Sequence, residues 1–366
     1  MKVLTILGTR PEIIRLSLVI PKLDKYCEQV IVHTGQNYDH KLSDIFFQEL
    51  GVRQPDYFLE ATGSPAKQIA TILVGLENVI EQEKPDKFLV LGDTNSSIGA
   101  IIAKRMGIKV YHCEAGNRCY DDRSPEEVNR RIIDCSSDIL MPYTQDSKAN
   151  LVKGGTDLNR IFVTGNPIKE VLDEFQMQIN KPGNLTKEHT GLDEELIPHG
   201  YMLVTMHRQE NVDDKERLDK FIFSFSQLAK KYKIPIIVST HPRLRQRLID
   251  FKVNEEFDIN HLVKFVEPFG FKHFINMERF AKCVLTDSGT VMEECAIYGT
   301  PCVILREYHE RFECQEYGTC IIAGCNLSRI YTAVKYVIDN NSMCDCPDEY
   351  MQDNVSDIIC KIILSK

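Results

Sequence analysis

The strongest constraint on the fold of this chain is a unit that recurs from one end to the other: a short, unbroken apolar run, a polar or glycine-bearing turn, a stretch of helical periodicity, then another apolar run. Val3 to Leu7 ends at Gly8-Thr9-Arg10-Pro11-Glu12 and passes into a helical pattern from Ile13 to Leu23. Lys87 to Leu91 exits through Gly92-Asp93-Thr94-Asn95-Ser96, Ser97 to Met106 reads as helix, and Lys109 to Cys113 runs into Glu114-Ala115-Gly116-Asn117-Arg118. Apolar runs that do not alternate with polar residues suit strands covered on both faces, and the helical segments supply crossovers. The pattern therefore predicts parallel sheets with right-handed connections and ligand groups at the carboxyl ends of the strands.

Further elements continue the series. Val30 to His33, Ile139 to Met141 and Ile161 to Val163 read as strands; Tyr38 to Leu50, Pro65 to Glu83 and Thr144 to Val152 read as helices. Ser124 as N-cap, Pro125 at the first position and Glu126 and Glu127 in the first turn mark another helix start. Lys181 to Gly200 is rich in turn residues and reads as a linker. The alternation then restarts: Tyr201 to Thr205 exits at Met206-His207-Arg208, Pro235 to Ser239 at Thr240-His241-Pro242, and Cys283 to Thr286 at Asp287-Ser288-Gly289-Thr290. Leu262 to Phe265 is a strand, Phe274 to Phe280 a helix, and Leu327 to Asn340 and Met351 to Leu364 close the chain as helices. At 366 residues the chain fits two domains. The expected architecture is α/β, with Rossmann-like doubly wound domains over 1–168 (the 351–366 helix packing back on it) and 169–350, facing each other across a cleft that is the default ligand site.

Composition excludes several classes. With 44 Lys+Arg against 53 Asp+Glu the net charge is −9, and no basic stripe argues for nucleic acid. The 13 cysteines are scattered and lack paired C-x-x-C spacing, so neither a metal site nor a disulfide framework is indicated. No apolar run approaches the ~20 residues of a membrane span. Met1-Lys2 leads directly into a strand, and a cytoplasmic location is expected.

The turn at Ser288, Gly289 and Thr290 places backbone N–H groups at a helix N-terminus, where an anion such as phosphate is favoured. Glu293 and Glu294, one turn on, are poor phosphate neighbours, but one of them is placed to accept sugar hydroxyls. The alternative is that Ser-Gly-Thr simply caps a helix with a capping-box glutamate. Asp93, Glu114 and Glu126 lie at or just past strand ends in the first half, and His207 does so in the second. Clustered carboxylates in a closed site have the pKa separation that acid–base chemistry needs. For His241 and Arg243 capping and solvation suffice. Neither half carries G-x-G-x-x-G or a P-loop signature, against a dinucleotide or ATP reading.

Nine motifs then fall in order over nearly the whole chain: G-T-R-P-E-I-I-R, V-L-G-D-T-N-S, E-A-G-N-R, S-P-E-E-V-N-R-R, V-T-G-N-P, M-H-R-Q-E-N, Glu267-Pro268, T-D-S-G-T-x-x-E-E and H-E-R-F-E. Together they resemble the non-hydrolysing UDP-N-acetylglucosamine 2-epimerase family, with the two-Rossmann-domain (GT-B-like) fold shared with many glycosyltransferases. The resemblance implies acid–base roles for Asp93, Glu114, Glu126 and His207, and UDP or sugar contacts by Arg10, Arg15, Phe274, Ser288, Gly289, Thr290, Glu294 and Arg311. It also implies a homodimer, no cofactor, and a route in which a base removes the proton on carbon 2 as UDP leaves carbon 1, giving a 2-acetamidoglycal to which UDP re-adds. Departures from the glucosamine pattern are Arg15 for the usual Lys, Thr290 for the second glycine of D-S-G-G, and Asn117 for Leu in E-A-G-L-R. Gly35-Gln36-Asn37-Tyr38 differs from the G/A-Q-H-R pattern near which bacterial glucosamine enzymes bind an activating second substrate, so that regulation is not carried over.

Asn117 and its neighbours, the R-L-S after the first motif and H-E-R-F-E look more like the branch converting UDP-N-acetyl-L-pneumosamine, a 6-deoxy-L-talosamine, to UDP-N-acetyl-L-fucosamine for capsule or O-antigen precursors. The rival expectations are a UDP-N-acetylglucosamine/UDP-N-acetylmannosamine 2-epimerase, a hydrolysing epimerase, a glycosyltransferase on the same fold, and a non-catalytic UDP-sugar sensor.

Overall fold

The computed structural model describes residues 1–36, 46–176, 196–253, 258–340 and 345–365. Most of the expected helix from Tyr38 to Leu50 and most of the expected linker from Lys181 lie outside them, as do Asn37 and Tyr38 themselves, while 46–49 are helical as expected. The chain divides into two compact units, Met1–Asp173 with Asp348–Lys366, and Glu174–Pro347.

The first unit contains β1 (Lys2–Leu7), β2 (Glu28–His33), β3 (Tyr57–Phe58), β4 (Lys87–Leu91), β5 (Lys109–Cys113) and β6 (Ile139–Met141). They form one sheet in the order β3-β2-β1-β4-β5-β6, every pair parallel. The second unit contains β7 (Met202–Thr205), β8 (Ile236–Ser239), β9 (Val263–Val266), β10 (Cys283–Thr286), β11 (Cys302–Ile304) and β12 (Cys320–Ile322), in the order β12-β11-β10-β7-β8-β9, again wholly parallel. Both sheets are thus Rossmann-like, and their central strands are buried along their length because helices cover both faces.

In the first unit Phe88, Leu4, Ile6 and Val90 pack against Ile72, Leu76 and Ile80 of the helix Pro65–Glu83. In the second, Val204, Val238, Leu285 and Val303 meet Phe221, Ile222 and Phe225 of Lys215–Tyr232 and Ile330 and Val334 of Leu327–Asp339. Truncating one of the buried phenylalanines costs about 3–5 kcal/mol. The last helix, Val355–Leu364, lies on Val19–Tyr26, where Lys22 Nζ donates to Asp357 at 2.5 Å, and Lys87 Nζ donates to the Ile363 carbonyl at 2.6 Å.

Several expectations differ in detail. Ile161 to Val163 is not a strand: one bridge joins Ile161 to Leu140, and the chain turns away at Thr164-Gly165-Asn166-Pro167, where Pro167 has no N–H to extend the ladder. The predicted helix from Ser97 to Met106 is a 3-10 turn, Asn95–Gly99, followed by a short α-helix, Ala100–Arg105. Two short edge strands, β3 and β12, and the helix Ile168–Gln176 escaped the sequence pattern. His241 Nδ1 accepts from Arg243 N at 3.2 Å and Arg243 pairs with Asp213, the structural roles expected of both.

Candidate active site

Each sheet reverses its strand order once, between β1 and β4 in the first unit and between β7 and β10 in the second, and the loops leaving these strands carry many of the candidate residues. In the first unit a Cβ on Gly8 would fall 2.1 Å from both Ser96 Oγ and Thr34 Oγ1, so only glycine lets the exits of β1, β2 and β4 come together. Glu12 stitches two of those exits: its carboxyl accepts from Gly8 N at 2.5 Å, Thr9 N at 2.8 Å and Thr94 Oγ1 at 2.6 Å. Burial pushes this carboxyl up to about 7; the three donors pull the other way, and nearby Asp93 adds to the rise. Sequence reading passed over Glu12, because a glutamate one turn into a helix reads as a cap.

Asp93 pairs with Arg130 Nη2 at 2.5 Å, and its carbonyl accepts from Asn129 Nδ2 at 2.9 Å. Both partners sit on the helix Pro125–Ser136, whose first turn separates its two acids. Glu127 points inward, accepting from Cys119 N at 2.9 Å, while Glu126 stays half-buried and accepts from Ser124 Oγ at 2.8 Å. Glu126 lies one helical turn before Arg130, on the face from which that arginine reaches Asp93.

Glu114 follows β5 with a left-handed φ of 66°, a conformation that costs a non-glycine residue on the order of 1 kcal/mol or more. What holds it there is visible at its carboxylate, which is 5% exposed. Arg15 Nη1 reaches one oxygen at 2.6 Å and Asn117 Nδ2 the other at 3.2 Å, while Asn117 Oδ1 accepts from Ser147 Oγ at 2.8 Å. The Arg15 guanidinium also lies over the Tyr143 ring, 5.7 Å from its centroid. Behind these loops His112, wholly buried on β5, contacts the Gly92 carbonyl through Nε2 and Asp134 through Nδ1, each at 3.0 Å. Asp134 also accepts from Gly116 N at 3.3 Å and pairs with Arg118 at 2.7 Å. The loops bearing Asp93 and Glu114 are therefore tied through one buried pair. Arg10 stands on the β1 exit with its guanidinium 5.4 Å from the Phe46 ring centroid.

In the second unit Asp287, fully buried at the end of β10, accepts from His207 N at 3.1 Å, Arg208 N at 2.9 Å and Asn211 Nδ2 at 3.1 Å. A buried carboxylate is tolerable only with such donors. His207 Nδ1 lies 3.3 Å from the same carboxylate, which orients the ring, and the side chain is 39% exposed at the strand edge. Ser288 is the N-cap of Gly289–Tyr298, but its hydroxyl makes no capping bond, and the capping-box position three residues on is Val291. The pure capping alternative therefore fails, and Ser288, Gly289 and the half-buried Thr290 present a helix N-terminus.

Arginines gather at that helix start. Arg306 Nη1 is 3.1 Å from Glu310, Arg208 Nη2 is 4.0 Å from it, and Glu310 Oε1 comes within 2.8 Å of where a Cβ on Gly289 would be. Arg311 is buried and ion-paired through Nε to Glu293, and the adjacent Glu294 is likewise buried, at 3% exposed. Phe274 is half-buried on the helix Phe271–Arg279, which packs against Gly289–Tyr298. The first unit thus presents ion-paired acids at its strand ends, and the second an arginine-lined helix N-terminus with a histidine beside it.

The profile of the UDP-N-acetylglucosamine 2-epimerase family matches residues 22–364. The chain belongs to this family. A UDP-N-acetylglucosamine 2-epimerase of Methanocaldococcus jannaschii is 38% identical over 342 residues, 93% of each chain. The crystal structure of the Methanocaldococcus jannaschii UDP-GlcNAc 2-epimerase in complex with UDP-GlcNAc and UDP superposes with a TM-score of 0.91 at 36% identity over 99% of each chain. The UDP-2,3-diacetamido-2,3-dideoxy-D-glucuronate 2-epimerase of Pseudomonas aeruginosa is 34% identical over 330 residues, 88% of each chain. The protein is a UDP-sugar 2-epimerase with two parallel-sheet α/β domains of the GT-B-like fold. No helix among the epimerase's described residues is long and apolar enough to cross a membrane.

Proposed function

We propose that this epimerase interconverts UDP-N-acetyl-L-pneumosamine and UDP-N-acetyl-L-fucosamine by elimination and re-addition of UDP, supplying a capsule or O-antigen precursor. The observation that carries the assignment is the clamp on Glu114: Arg15 and Asn117, two of the positions where this chain departs from the glucosamine pattern, bond opposite oxygens of the same carboxylate. Lys and Leu at those places would leave one oxygen without its amide donor and the other with a point charge instead of a planar fork. An L-6-deoxy sugar presents a methyl where glucosamine presents a hydroxymethyl, and its ring needs a differently set proton-handling group. Identity in the thirties does not by itself fix the sugar, since a diacetamido-glucuronate epimerase and glucosamine epimerases stand at similar distances.

In this reading Asp93, Glu114 and Glu126 move the proton on carbon 2, and His207 supports the departing diphosphate. The hydrogen on carbon 2 is not adjacent to a carbonyl, so deprotonation must be coupled to loss of UDP from carbon 1. Ser288, Gly289, Thr290, Arg311 and Arg10 hold the UDP, Glu294 accepts sugar hydroxyls and Phe274 offers an aromatic face. We take the active form to be a homodimer, which light scattering checks.

Product formed in heavy water is expected to carry deuterium at carbon 2; unlabelled product would eliminate this route. Measuring kcat/KM for the L-talo substrate and for UDP-N-acetylglucosamine separately tests the sugar. A pocket that merely lacks a partner for an extra hydroxyl discriminates only ~10²-fold, so some crossover is expected. The names of the relatives favour a second reading, a UDP-N-acetylglucosamine 2-epimerase, and faster turnover of the gluco substrate would establish it.

A further inference from the structure

The loop that carries Glu114 rests on the first turn of the helix Gln145–Lys153. A Cβ on Gly116, which has a left-handed φ of 81°, would fall 2.2 Å from the Ser147 carbonyl oxygen, so only glycine lets the two segments approach this closely. Asn150 Nδ2, almost one turn on, donates to the Gly116 carbonyl at 3.1 Å. Alongside these contacts runs a line of buried polar groups. Ser147 N donates to Oγ1 of the N-cap Thr144 at 3.2 Å, and Thr144 Oγ1 donates to Ser147 Oγ at 3.2 Å. Ser147 Oγ then donates to Asn117 Oδ1 at 2.8 Å, and Asn117 Nδ2 to Glu114 Oε1 at 3.2 Å. Thr144, Ser147, Asn117 and Glu114 are each no more than 5% exposed.

The direction of this line is set at its far end. Glu114, ion-paired with Arg15, only accepts, so the Asn117 amide must turn its N–H groups to the carboxylate and its carbonyl to Ser147. That buried carbonyl needs a donor, and the Ser147 hydroxyl is the one that reaches it. We infer that Ser147 is a positioning residue for Glu114: its hydroxyl fixes the Asn117 amide, and the amide fixes the carboxylate oxygen opposite the one held by Arg15. The hydroxyl and amide donors all point toward Glu114, so their dipoles present positive ends to its charge and strengthen one another. Thr144 takes its capping bond from the backbone amide of residue 147, so the helix start and the setting of Glu114 are separable. Leucine, the residue of the glucosamine pattern at 117, would end the line at Ser147. The line therefore belongs to the departure at Asn117, and it adds Ser147 to the residues that set the proton-handling group for its sugar. The inference rests on the reading above that Glu114 moves the proton on carbon 2.

A double-mutant cycle on the full-length protein tests it. The rate of deuterium entry at carbon 2 from heavy water, on whichever UDP-acetamido sugar turns over faster, is measured for wild type, Ser147→Ala, Asn117→Leu and the double variant, with UDP affinity by calorimetry. Ser147→Ala is expected to lower the rate ~10-fold while UDP affinity changes less than about 3-fold. In the Asn117→Leu background the same change is expected to cost less than about 2-fold, because leucine gives the hydroxyl nothing to hold. An equal cost in both backgrounds, no cost in the first, or a loss of UDP affinity as large as the loss of rate overturns the proposal. Ser147→Cys keeps the volume with a weak donor and is expected to fall between wild type and Ala, so it reads the same cycle if the Ala variant fails to fold. Glu114→Gln separates the two layers. Undiminished turnover there overturns the assignment of Glu114 to the proton, whereas independence of Ser147 from Asn117 overturns the positioning line itself.

Discussion

The two units have the same strand order and each closes its switch point with a buried carboxyl, yet the two carboxyls do different work. In the first, Glu12 reaches from the β1 helix to Thr94 beside Asp93 and has its proton affinity raised toward neutrality. In the second, Asp287 reaches from the end of β10 to two backbone amides, an asparagine and a histidine. The first unit then adds acids with individual cations, Arg130 for Asp93 and Arg15 for Glu114; the second adds arginines around a helix start. One architecture repeated therefore carries two different loop chemistries, which in the proposed function divide into proton handling and anion holding.

The largest expected effect tests the second carboxyl. Asp287→Ala strands the amides of His207 and Arg208 and the side chain of Asn211 in a dry site and is expected to cost about 3 kcal/mol or more. A denaturant midpoint unchanged from wild type would show that those donors find other acceptors. Next, Asp93→Asn, Glu114→Gln and Glu126→Gln are expected to lower turnover by ~10²-fold or more, with UDP affinity changed less than about 3-fold. A loss of UDP binding instead would erase the division of labour between the units.

Glu12 gives a pH-dependent test. Its folded value is raised from 4.5 to about 7, so the folded state holds a proton the unfolded chain has released, and the associated stability is present below about pH 4.5 and lost as pH rises through 7. The loss is at most about 3 kcal/mol, reduced by the donors that welcome the ionised form. Buried His33, pushed down to about 4, has the opposite sign over an overlapping window, losing stability as pH falls from about 6.5. The informative quantity is therefore the difference between wild type and Glu12→Gln: the variant is expected to lose less stability between pH 4.5 and 7.5, and parallel curves would show that Glu12 stays ionised.

The smallest effect is at the anion end. Ser288→Ala, which removes a hydroxyl not used for capping, is expected to weaken UDP about 5-fold with kcat nearly unchanged. A fall in kcat with UDP affinity intact would move Ser288 to the chemical step. Arg311→Ala is a poorer probe of the same end, because it leaves Glu293 buried without its cation and destabilises the unit itself.

The sequence alone was enough for the repeated strand, turn and helix, for the parallel sheets they build, and for the loops where Asp93, Glu114, His207 and Ser288 lie, because apolar runs and helix starts are encoded by neighbouring residues. It also carried the nine ordered motifs, and with them the family. What local pattern left undecided, and only the resemblance assigned, was which of two adjacent acids does what: Glu126 and Glu127 are equivalent to a periodicity rule but separated by burial and partner, and of the two buried acids Glu293 and Glu294 it is Glu293 that pairs with Arg311. Glu12, His112, Asp134 and Asp287 remained hidden for a related reason. Their meaning lies in contacts across the sheet, such as Arg15 with Glu114, 99 residues apart, or His207 with Asp287, 80 apart, and only strand order brings such partners to one edge. Local spacing constrains conformation within an element; the desolvation and pairing that set a carboxyl's charge depend on which elements become neighbours, and that is decided by the packed fold.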